Sequence, residues 1–276
     1  MDKTKLSRAP WLFFAATFGF SWLFWVPAAL VGRGGRTPAV YILHYVGGAG
    51  PLLVAVLLTH FLEDGTGRRD YWRRAIDFRR IGPAWYAVIF VAFPVLTGLA
   101  ALLDGLTGGG AAGSGIASRF VAQPLTILPY ALFLLVFGPI PEELGWRGYA
   151  LDRLQARWGA LASGLVLGAA WALWHLPLFF IPETYQSGLG VGTLRFWLFF
   201  ITIVPQSVLY TWIYNNTRRS TLSAILFHFV GNFTGELCAL SDRAETWSGL
   251  LVMCAAVAVT AIWGARTLAR RSEPGT

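Results

Sequence analysis

Long apolar stretches separated by short polar segments dominate the chain. Eight of these stretches are long enough to cross about 30 Å of hydrocarbon at about 1.5 Å per helical residue. They cover residues 11–31, 39–62, 84–104, 122–146, 160–182, 193–214, 220–240 and 246–266. The pattern predicts an all-α fold, a polytopic transmembrane helix bundle of about eight spans that forms a single membrane domain over residues 1–276.

The positions of the Lys and Arg residues favour one orientation of this bundle. If the N-terminus is cytoplasmic, 17 of the 22 basic residues fall on the cytoplasmic side, which is the asymmetry that the positive-inside rule describes. We therefore predict that both termini are cytoplasmic. The cytoplasmic set comprises Lys3, Lys5, Arg8, Arg68, Arg69, Arg73, Arg74, Arg79, Arg80, Arg147, Arg153, Arg157, Arg218, Arg219, Arg266, Arg270 and Arg271.

Two connecting segments have a distinct character. The basic segment 63–80 contains interleaved Tyr, Trp, Ile and Phe residues. It is therefore either an ordinary positive-inside loop or an interfacial helix on the cytoplasmic surface. The glycine-rich segment 105–115 has no charged residue and is predicted to be a flexible loop on the external side.

Composition supports a membrane protein and excludes an ordinary soluble enzyme. Hydrophobic residues make up 55% of the 276-residue chain and charged residues 13%, whereas a soluble domain has roughly 25% charged residues. Topology explains the net charge of +8, so we predict the lipid bilayer, and not nucleic acid, as a partner. Cys238 and Cys254 lie in apolar stretches and provide no disulfide framework. The Ala, Gly and Arg content and the short loops indicate an integral, multi-pass protein of a bacterial cell (inner) membrane.

Carboxylates inside apolar segments are costly, so each one requires an explanation. Of the 14 acidic residues, only Glu142, Glu143 and Glu236 do not fall in loops or at the ends of spans. Pro141 precedes the first two, which predicts that a helix starts or restarts there. Glu143 and Arg147 are four residues apart and can pair on one helix face. Glu142 points about 100° away from that face and is a candidate proton acceptor.

A spacing argument places His175 near Glu142. The turn between the fourth and fifth predicted helices lies near Trp158 and Gly159. Glu142 is 16 residues before Trp158, and His175 is 16 residues after Gly159. In an antiparallel hairpin of continuous helices, both side chains then lie about 24 Å from the turn. We therefore predict that they share one depth, in the cytoplasmic half of the membrane.

A third polar element lies in the seventh predicted span. His228 and Asn232 are four residues apart and therefore lie on one helix face. They can donate hydrogen bonds to a developing oxyanion, or they can act as polar contacts between helices. Gly231 between them allows a close helix approach. Glu236 continues the same face one turn later, either as support for the site or as a packing hydrogen bond.

Together these residues resemble the three motifs of the CPBP family of intramembrane proteases, which includes the CAAX prenyl endopeptidases of the Ras-converting type and the bacterial Abi proteins. The usual patterns are EExxxR, FxxxH and HxxxN or HxxxB. The corresponding residues are Glu142-Glu143-x-x-x-Arg147, Trp171-x-x-x-His175 and His228-x-x-x-Asn232. The resemblance covers residues 142–232, within a motif-bearing protease core of about residues 122–240. Trp171 departs from the usual Phe, which bears on the shape of the pocket more than on the chemistry.

The resemblance implies an intramembrane endopeptidase that hydrolyses a peptide bond of a membrane-associated protein or peptide. The implied catalytic set is Glu142, Glu143, Arg147, His175, His228 and Asn232. Within this set, Glu142 and His175 activate a water. His228 and Asn232 hold the oxyanion of the tetrahedral intermediate, and the remaining pair positions the substrate or orients Glu142. The residues alone do not choose between Glu142 and Glu143 as the base.

Two alternatives stay open at the level of the sequence. The first is a metal mechanism, in which Glu142, His175 and His228 hold a divalent ion such as Zn with an open water position. No HExxH spacing is present, no cofactor is certain, and we favour the metal-free mechanism. The second is a non-catalytic polytopic protein, such as a transporter or a bacteriocin-immunity or partner-binding factor, that uses the same polar cluster. The sequence shows no internal repeat of the kind common in transporters.

Overall fold

The fold is a bundle of helices, as the apolar pattern predicts. A computed structural model describes residues 3–109, 113 and 115–269. Its helices are α1 (Lys3–Val31), α2 (Pro38–Gly48), α3 (Gly50–Leu62), α4 (Gly65–Ile76), α5 (Pro83–Leu106), α6 (Ala117–Ala122), α7 (Ile127–Phe137), α8 (Pro139–Gly145), α9 (Asp152–Gln155), α10 (Ala160–Trp174), α11 (Tyr185–Leu189), α12 (Leu194–Asn216), α13 (Thr221–Leu237) and α14 (Asp242–Trp263). Within the described residues, the all-α prediction is confirmed.

The described helices correspond closely to the predicted spans. Six helical stretches are long and apolar enough to cross a membrane, and the pair α2 and α3, bent by 41°, supplies a seventh candidate. One of the six is the run 124–155, which contains α7, α8 and α9. The remaining predicted segment corresponds to α13, which is shorter at 17 residues. A polytopic helical bundle is confirmed, and the count of eight spans stays a prediction.

Connecting segments assigned to the cytoplasm meet at one end of the bundle, here called the arginine-rich face. The face is formed by Arg74, Arg80, Arg153, Arg218 and Arg219. Arg74 Nη1 donates a hydrogen bond to Asp152 at 2.7 Å, and Arg80 Nη1 donates to the Arg218 carbonyl at 2.8 Å. These contacts agree with a shared side for the segments, while the cytoplasmic orientation stays a prediction. Arg270 and Arg271 lie outside the described residues.

The basic segment 63–80 contains helix α4. The Asp64 side chain caps this helix by accepting a hydrogen bond from the Gly67 amide at 2.8 Å. Tyr71 is buried beneath it, whereas Trp72 and Ile76 are exposed. The segment is therefore helical, with an apolar and basic outer surface, and its contact with a lipid surface stays a prediction.

The opposite end of the bundle is tied together by a buried carboxylate. Asp104, near the end of α5, accepts hydrogen bonds from Ser241 at 2.7 Å and from Arg243 at the start of α14. An isolated bridge pairs Gly113 with Ala239. Helix α13 begins beside the arginine-rich face and ends here, so it runs between the two ends. Residues 110–112 and 114 of the predicted glycine-rich loop lie outside the described residues.

Helix α8 lies inside the bundle because a small residue lets it approach α3 closely. A Cβ atom added to Gly145 would lie 2.5 Å from the Pro51 Cβ atom, so a larger residue at 145 would separate the two helices. The side chains of Trp25, Trp146 and Trp174 are almost completely buried, and the Trp174 ring contacts both of the others. This packing fixes the segment that carries the two adjacent glutamates.

Candidate active site

The adjacent glutamates lie on α8, a short helix with an irregularity at each end. Gly138, with φ −126° and ψ −89°, separates α8 from α7. After α8, residues Trp146–Leu151 form a π-helical turn, a feature that frequently marks functional sites. The predicted helix restart is therefore present, but it begins at Pro139 and not at Pro141.

Glu143 and Arg147 form a buried ion pair, as their spacing predicts. Arg147 Nη1 donates to Glu143 Oε1 at 2.9 Å, and neither side chain is exposed. His228 Nδ1 lies 2.9 Å from the same oxygen, and we assign the shared proton to Nδ1 because a carboxylate accepts. Arg147 also donates to Ser207 Oγ at 3.1 Å and stacks on the Tyr210 ring at 4.5 Å. The pair thereby joins α8 to α12 and α13.

The burial of Arg147 differs from the sequence-based expectation for this residue. Sequence reasoning counted Arg147 among the cytoplasmic charges that need water, yet 0% of the residue is exposed. A buried guanidinium is tolerated when its charge is paired and its N–H groups are hydrogen-bonded. Glu143 pairs the charge and Ser207 accepts from Nη2, whereas the Nε atom has no hydrogen-bond partner among the described residues. Arg147 is therefore part of the core and not of the arginine-rich face.

Glu142 faces away from this ion pair and contacts a different group. Trp171 Nε1 donates to Glu142 Oε2 at 2.6 Å, and His175 Nε2 lies 4.0 Å from the same oxygen. The Trp171 carbonyl accepts from His175 Nδ1 at 2.8 Å, which leaves Nε2 of a neutral ring as an acceptor. The predicted proximity of Glu142 and His175 is thus observed, although a π-helical turn interrupts the stretch after Glu142 and His175 lies directly after the last residue of α10.

Glu142 and His175 line a cavity of about 270 Å³. Arg36, Glu183 and Tyr185 line it as well, and the last two are exposed, so they mark its mouth. These three residues follow α1 and α10, at the end of the bundle opposite the arginine-rich face. Sequence reasoning placed the Glu and His pair in the half nearer the arginine-rich face, whereas the cavity that reaches the pair opens at the other end.

His228 and Asn232 share a face of α13 but have different surroundings. His228 is buried, with its ring 5.3 Å from the Trp171 ring. Asn232 is half-buried, and a Cβ atom added to Gly138 would lie 3.8 Å from its Nδ2 atom. The Asn232 amide therefore lies beside the irregularity before α8. A Cβ atom on Gly231 would lie 3.1 Å from an aromatic ring of α5, so the predicted close helix approach is observed.

Glu236 lies apart from these residues. It is near the end of α13, where its backbone carbonyl accepts a hydrogen bond from the Ile116 amide at 3.1 Å. The residue is exposed and its carboxylate lies beside the Tyr130 hydroxyl of α7, which favours a packing role at the end of the bundle over support for the site.

The side chains named for a metal do not fit one in this arrangement. Among the residues that the structure describes, no three His, Cys, Asp or Glu side chains converge to hold an ion. Glu142 Oε2 already accepts a hydrogen bond from Trp171, and His228 Nδ1 is hydrogen-bonded to Glu143. A catalytic zinc site needs three convergent protein ligands and an open position. The donors in this part of the chain therefore do not form such a site.

Sequence reasoning missed three contributors to the site. Ser207 and Tyr210 of α12 contact Arg147, and nothing in the pattern of α12 distinguishes them from packing residues. The third is the indole N–H of Trp171. Its signal was available in the departure from Phe, because Trp adds a hydrogen-bond donor that Phe lacks.

A helical membrane bundle with a carboxylate and a histidine facing each other in one cavity is the arrangement expected of a membrane-embedded enzyme. Residues 124–234 match the family model of the type II CAAX prenyl endopeptidases, described as Rce1-like. Over 253 residues the chain is 30% identical to CAAX prenyl protease 2 of Methanococcus maripaludis, which covers 91% of this chain and 93% of that protein. The chain belongs to the Rce1-like, type II CAAX prenyl endopeptidase family.

Family membership confirms the resemblance stated from the motifs. The protein is a peptidase of the intramembrane endopeptidase class and an integral, multi-pass membrane protein. Its substrate is a membrane-associated protein. The alternative of a non-catalytic transporter, immunity or partner-binding factor is not favoured.

Proposed function

We propose that the enzyme hydrolyses the peptide bond with a water that Glu142 and His175 activate. The observation that carries this proposal is the distance of 4.0 Å between Glu142 Oε2 and His175 Nε2 in the wall of one cavity. The separation is too long for a direct hydrogen bond and suits a water bonded to both groups. Peptide hydrolysis requires such a water within reach of a general base.

The surroundings of the two adjacent glutamates support Glu142 as the base. Oε1 of Glu143 is engaged by Arg147 and lies 2.9 Å from His228 Nδ1. No part of Glu143 is exposed, whereas Glu142 lines the cavity. Glu143 and Arg147 are therefore positioning residues, which fix α8 and orient the His228 ring.

In the proposed step, Glu142 accepts a proton from the water while the water oxygen attacks the carbonyl carbon of the scissile bond. His175, held through Nδ1 by the Trp171 carbonyl, keeps Nε2 directed at that water. The oxyanion accepts a hydrogen bond from the Asn232 amide and, when His228 is the imidazolium, a second one from His228 Nε2, because Nδ1 already donates to Glu143. Glu142 then transfers the proton to the departing amine nitrogen as the C–N bond breaks.

The substrate is a peptide or protein tethered to the bilayer by an apolar anchor. The Methanococcus maripaludis relative is named CAAX prenyl protease 2, which supports a lipid-linked chain as the general class of substrate. The Ala, Gly and Arg content and the short loops support the bacterial (inner) cell membrane as the location. Nucleic acid has no part in this function.

A search for new peptide termini tests the proposed function. Wild-type protein and a Glu142→Ala variant are reconstituted separately into vesicles with a library of lipid-anchored peptides. Mass spectrometry then identifies the termini that each protein produces. We expect new termini with the wild-type protein alone. Identical termini from both folded proteins would overturn the assignment of Glu142.

Replacing Trp171 by Phe tests how Glu142 is held. The variant keeps an aromatic ring but removes the N–H group that donates to Glu142 Oε2 at 2.6 Å. A hydrogen bond to a charged group contributes about 1.5–3 kcal/mol. We therefore expect kcat to fall about tenfold or more, with KM nearly unchanged. Steady-state cleavage of a reconstituted peptide measures both constants.

Trp146→Phe is the matched control for this variant. Trp146 is fully buried, and its Nε1 atom has no hydrogen-bond partner among the described residues. Both variants replace a buried indole by a smaller phenyl ring, but only the change at Trp171 removes a hydrogen-bond donor to Glu142. Equal losses of kcat in the two variants would show that packing, and not the N–H group, accounts for the effect.

Chelation tests the metal-free mechanism. Because the described donors do not converge on an ion, we expect the cleavage rate to be unchanged after dialysis against EDTA. Elemental analysis of the same sample records the metal content. A loss of cleavage that added zinc restores would contradict this expectation.

A further inference from the structure

The cavity contains a cation that the proposed chemistry does not use. Arg36 lies in the cavity wall, in the turn between α1 and α2. The cavity lining also contains two carboxylates, those of Glu142 and Glu183. Within the described part of the chain, Arg36 forms no ion pair with a carboxylate, and its Nε atom is buried without a hydrogen-bond partner.

Two contacts orient the guanidinium group of Arg36. Its Nη1 atom donates to the Glu183 backbone carbonyl at 2.6 Å, and its central carbon lies 4.1 Å from the centroid of the Tyr41 ring. The second contact is a cation–π interaction. A guanidinium has five N–H donors, so most of them stay available to an anion. The cation is therefore held in place before a ligand binds.

We propose that Arg36 binds a carboxylate of the peptide substrate, an inference that rests on the proposed peptidase function. A guanidinium can pair with a carboxylate through two parallel hydrogen bonds, and a carboxylate is the anion that an unmodified peptide carries. Glu142 and Glu183 repel a carboxylate elsewhere in the cavity. Arg36 therefore determines the direction in which the peptide lies across the catalytic pair.

The size of the cavity limits the distance between that carboxylate and the scissile bond. Its volume of about 270 Å³ lies just below the usual range for ligand pockets, about 300–1,000 Å³. Arg36 and Glu142 share this one small space, so the carboxylate belongs to a residue within a few positions of the cleaved bond. Its source is the C-terminal carboxylate of the peptide or an acidic side chain near the bond.

Peptide chemistry tests the inference on the wild-type protein itself. The probe is a lipid-anchored peptide that the reconstituted protein cleaves, made in three forms. These are the free acid, the C-terminal amide, and a form with Asn and Gln in place of Asp and Glu. We expect KM to rise about tenfold or more in the form that lacks the recognised carboxylate, with kcat unchanged. Equal KM values for all three forms would overturn the carboxylate site.

Arg36→Gln provides a second, independent arm, with Arg33→Gln as its control. Arg33 is exposed in the same turn and does not line the cavity. We expect Arg36→Gln to abolish the KM difference between the peptide forms and Arg33→Gln to preserve it. Discrimination by Arg36→Gln equal to that of the wild type would also overturn the site.

The two arms separate failure of the site from other failures. Thermal unfolding of both variants shows whether they fold. If Arg36→Gln does not fold, the KM values of the three peptide forms with the wild-type protein decide whether the carboxylate site exists. If the wild-type protein cleaves none of the peptides, the proposed function has failed. If the wild-type protein cleaves all three forms with the same KM, the result contradicts the role of Arg36 and leaves the proposed peptidase function standing.

Discussion

Replacing Glu142 by Gln is expected to lower kcat by about 10³-fold in a protein that remains folded. Gln keeps the size of the side chain and an oxygen that accepts the Trp171 hydrogen bond, but it cannot take a proton from water. General acid–base catalysis contributes roughly 10²–10⁴-fold to enzymatic rates, which sets the size of the loss. Single-turnover cleavage of a lipid-anchored peptide measures it.

Glu236→Gln is the matched control, because it makes the same change in an exposed carboxylate of α13. Glu236 lies at the end of α13, where its carbonyl accepts from the Ile116 amide, and it does not line the cavity that holds the catalytic pair. We expect Glu236→Gln to cleave at the wild-type rate. Activity of Glu142→Gln equal to that of Glu236→Gln would contradict the assignment of the base.

Replacing Arg147 by Ala is expected to cause the largest loss of stability. The change leaves the Glu143 carboxylate in a core where neither partner is exposed. Removing one partner of a buried ion pair costs about 3–5 kcal/mol, because an uncompensated charge stays behind. The change also removes the guanidinium that holds the Glu143 carboxylate beside the His228 ring, so cleavage should fall with stability. Thermal unfolding of the purified protein in detergent measures the first effect.

Two further variants separate charge from packing at this site. Arg157→Ala removes an exposed guanidinium that lies close to Arg147 in the chain. It should change the unfolding temperature little, since an exposed ion pair contributes about 0–1 kcal/mol to the free energy of unfolding. The double variant Glu143→Gln with Arg147→Met leaves no unpaired charge and should recover part of the lost stability. Equal unfolding temperatures for Arg147→Ala and Arg157→Ala would contradict the buried pair.

Local helical geometry explains which parts of the site were predictable. Residues four apart lie on one helix face, so the Glu143 and Arg147 pair and the shared face of His228 and Asn232 follow from spacing. The proximity of Glu142 and His175 followed from counting along a hairpin. The prediction holds although α8 is irregular, because Glu142 Oε2 and His175 Nε2 still lie 4.0 Å apart.

Tertiary contacts explain what the sequence did not reveal. Whether Arg147 reaches water depends on Ser207 and Tyr210 of α12, which no local pattern links to it. The position of the cavity mouth depends on the turns after α1 and α10. The hydrophobic pattern predicts at which end of the bundle such a turn lies, but not which of its residues line a cavity. The span at α13 is 17 residues long, a length at which apolar content alone does not decide between a span and a buried helix.

The most direct test of the central claim is a single-turnover cleavage in H2(18)O, read by mass spectrometry of the peptide products and of the intact protein. If Glu142 and His175 direct water onto the scissile carbonyl, the new carboxyl group carries one atom of heavy oxygen. The protein mass then stays unchanged throughout the turnover, and Glu142→Gln yields almost no labelled product. A peptide–protein adduct during turnover, or labelled product from Glu142→Gln at the wild-type rate, would contradict the account.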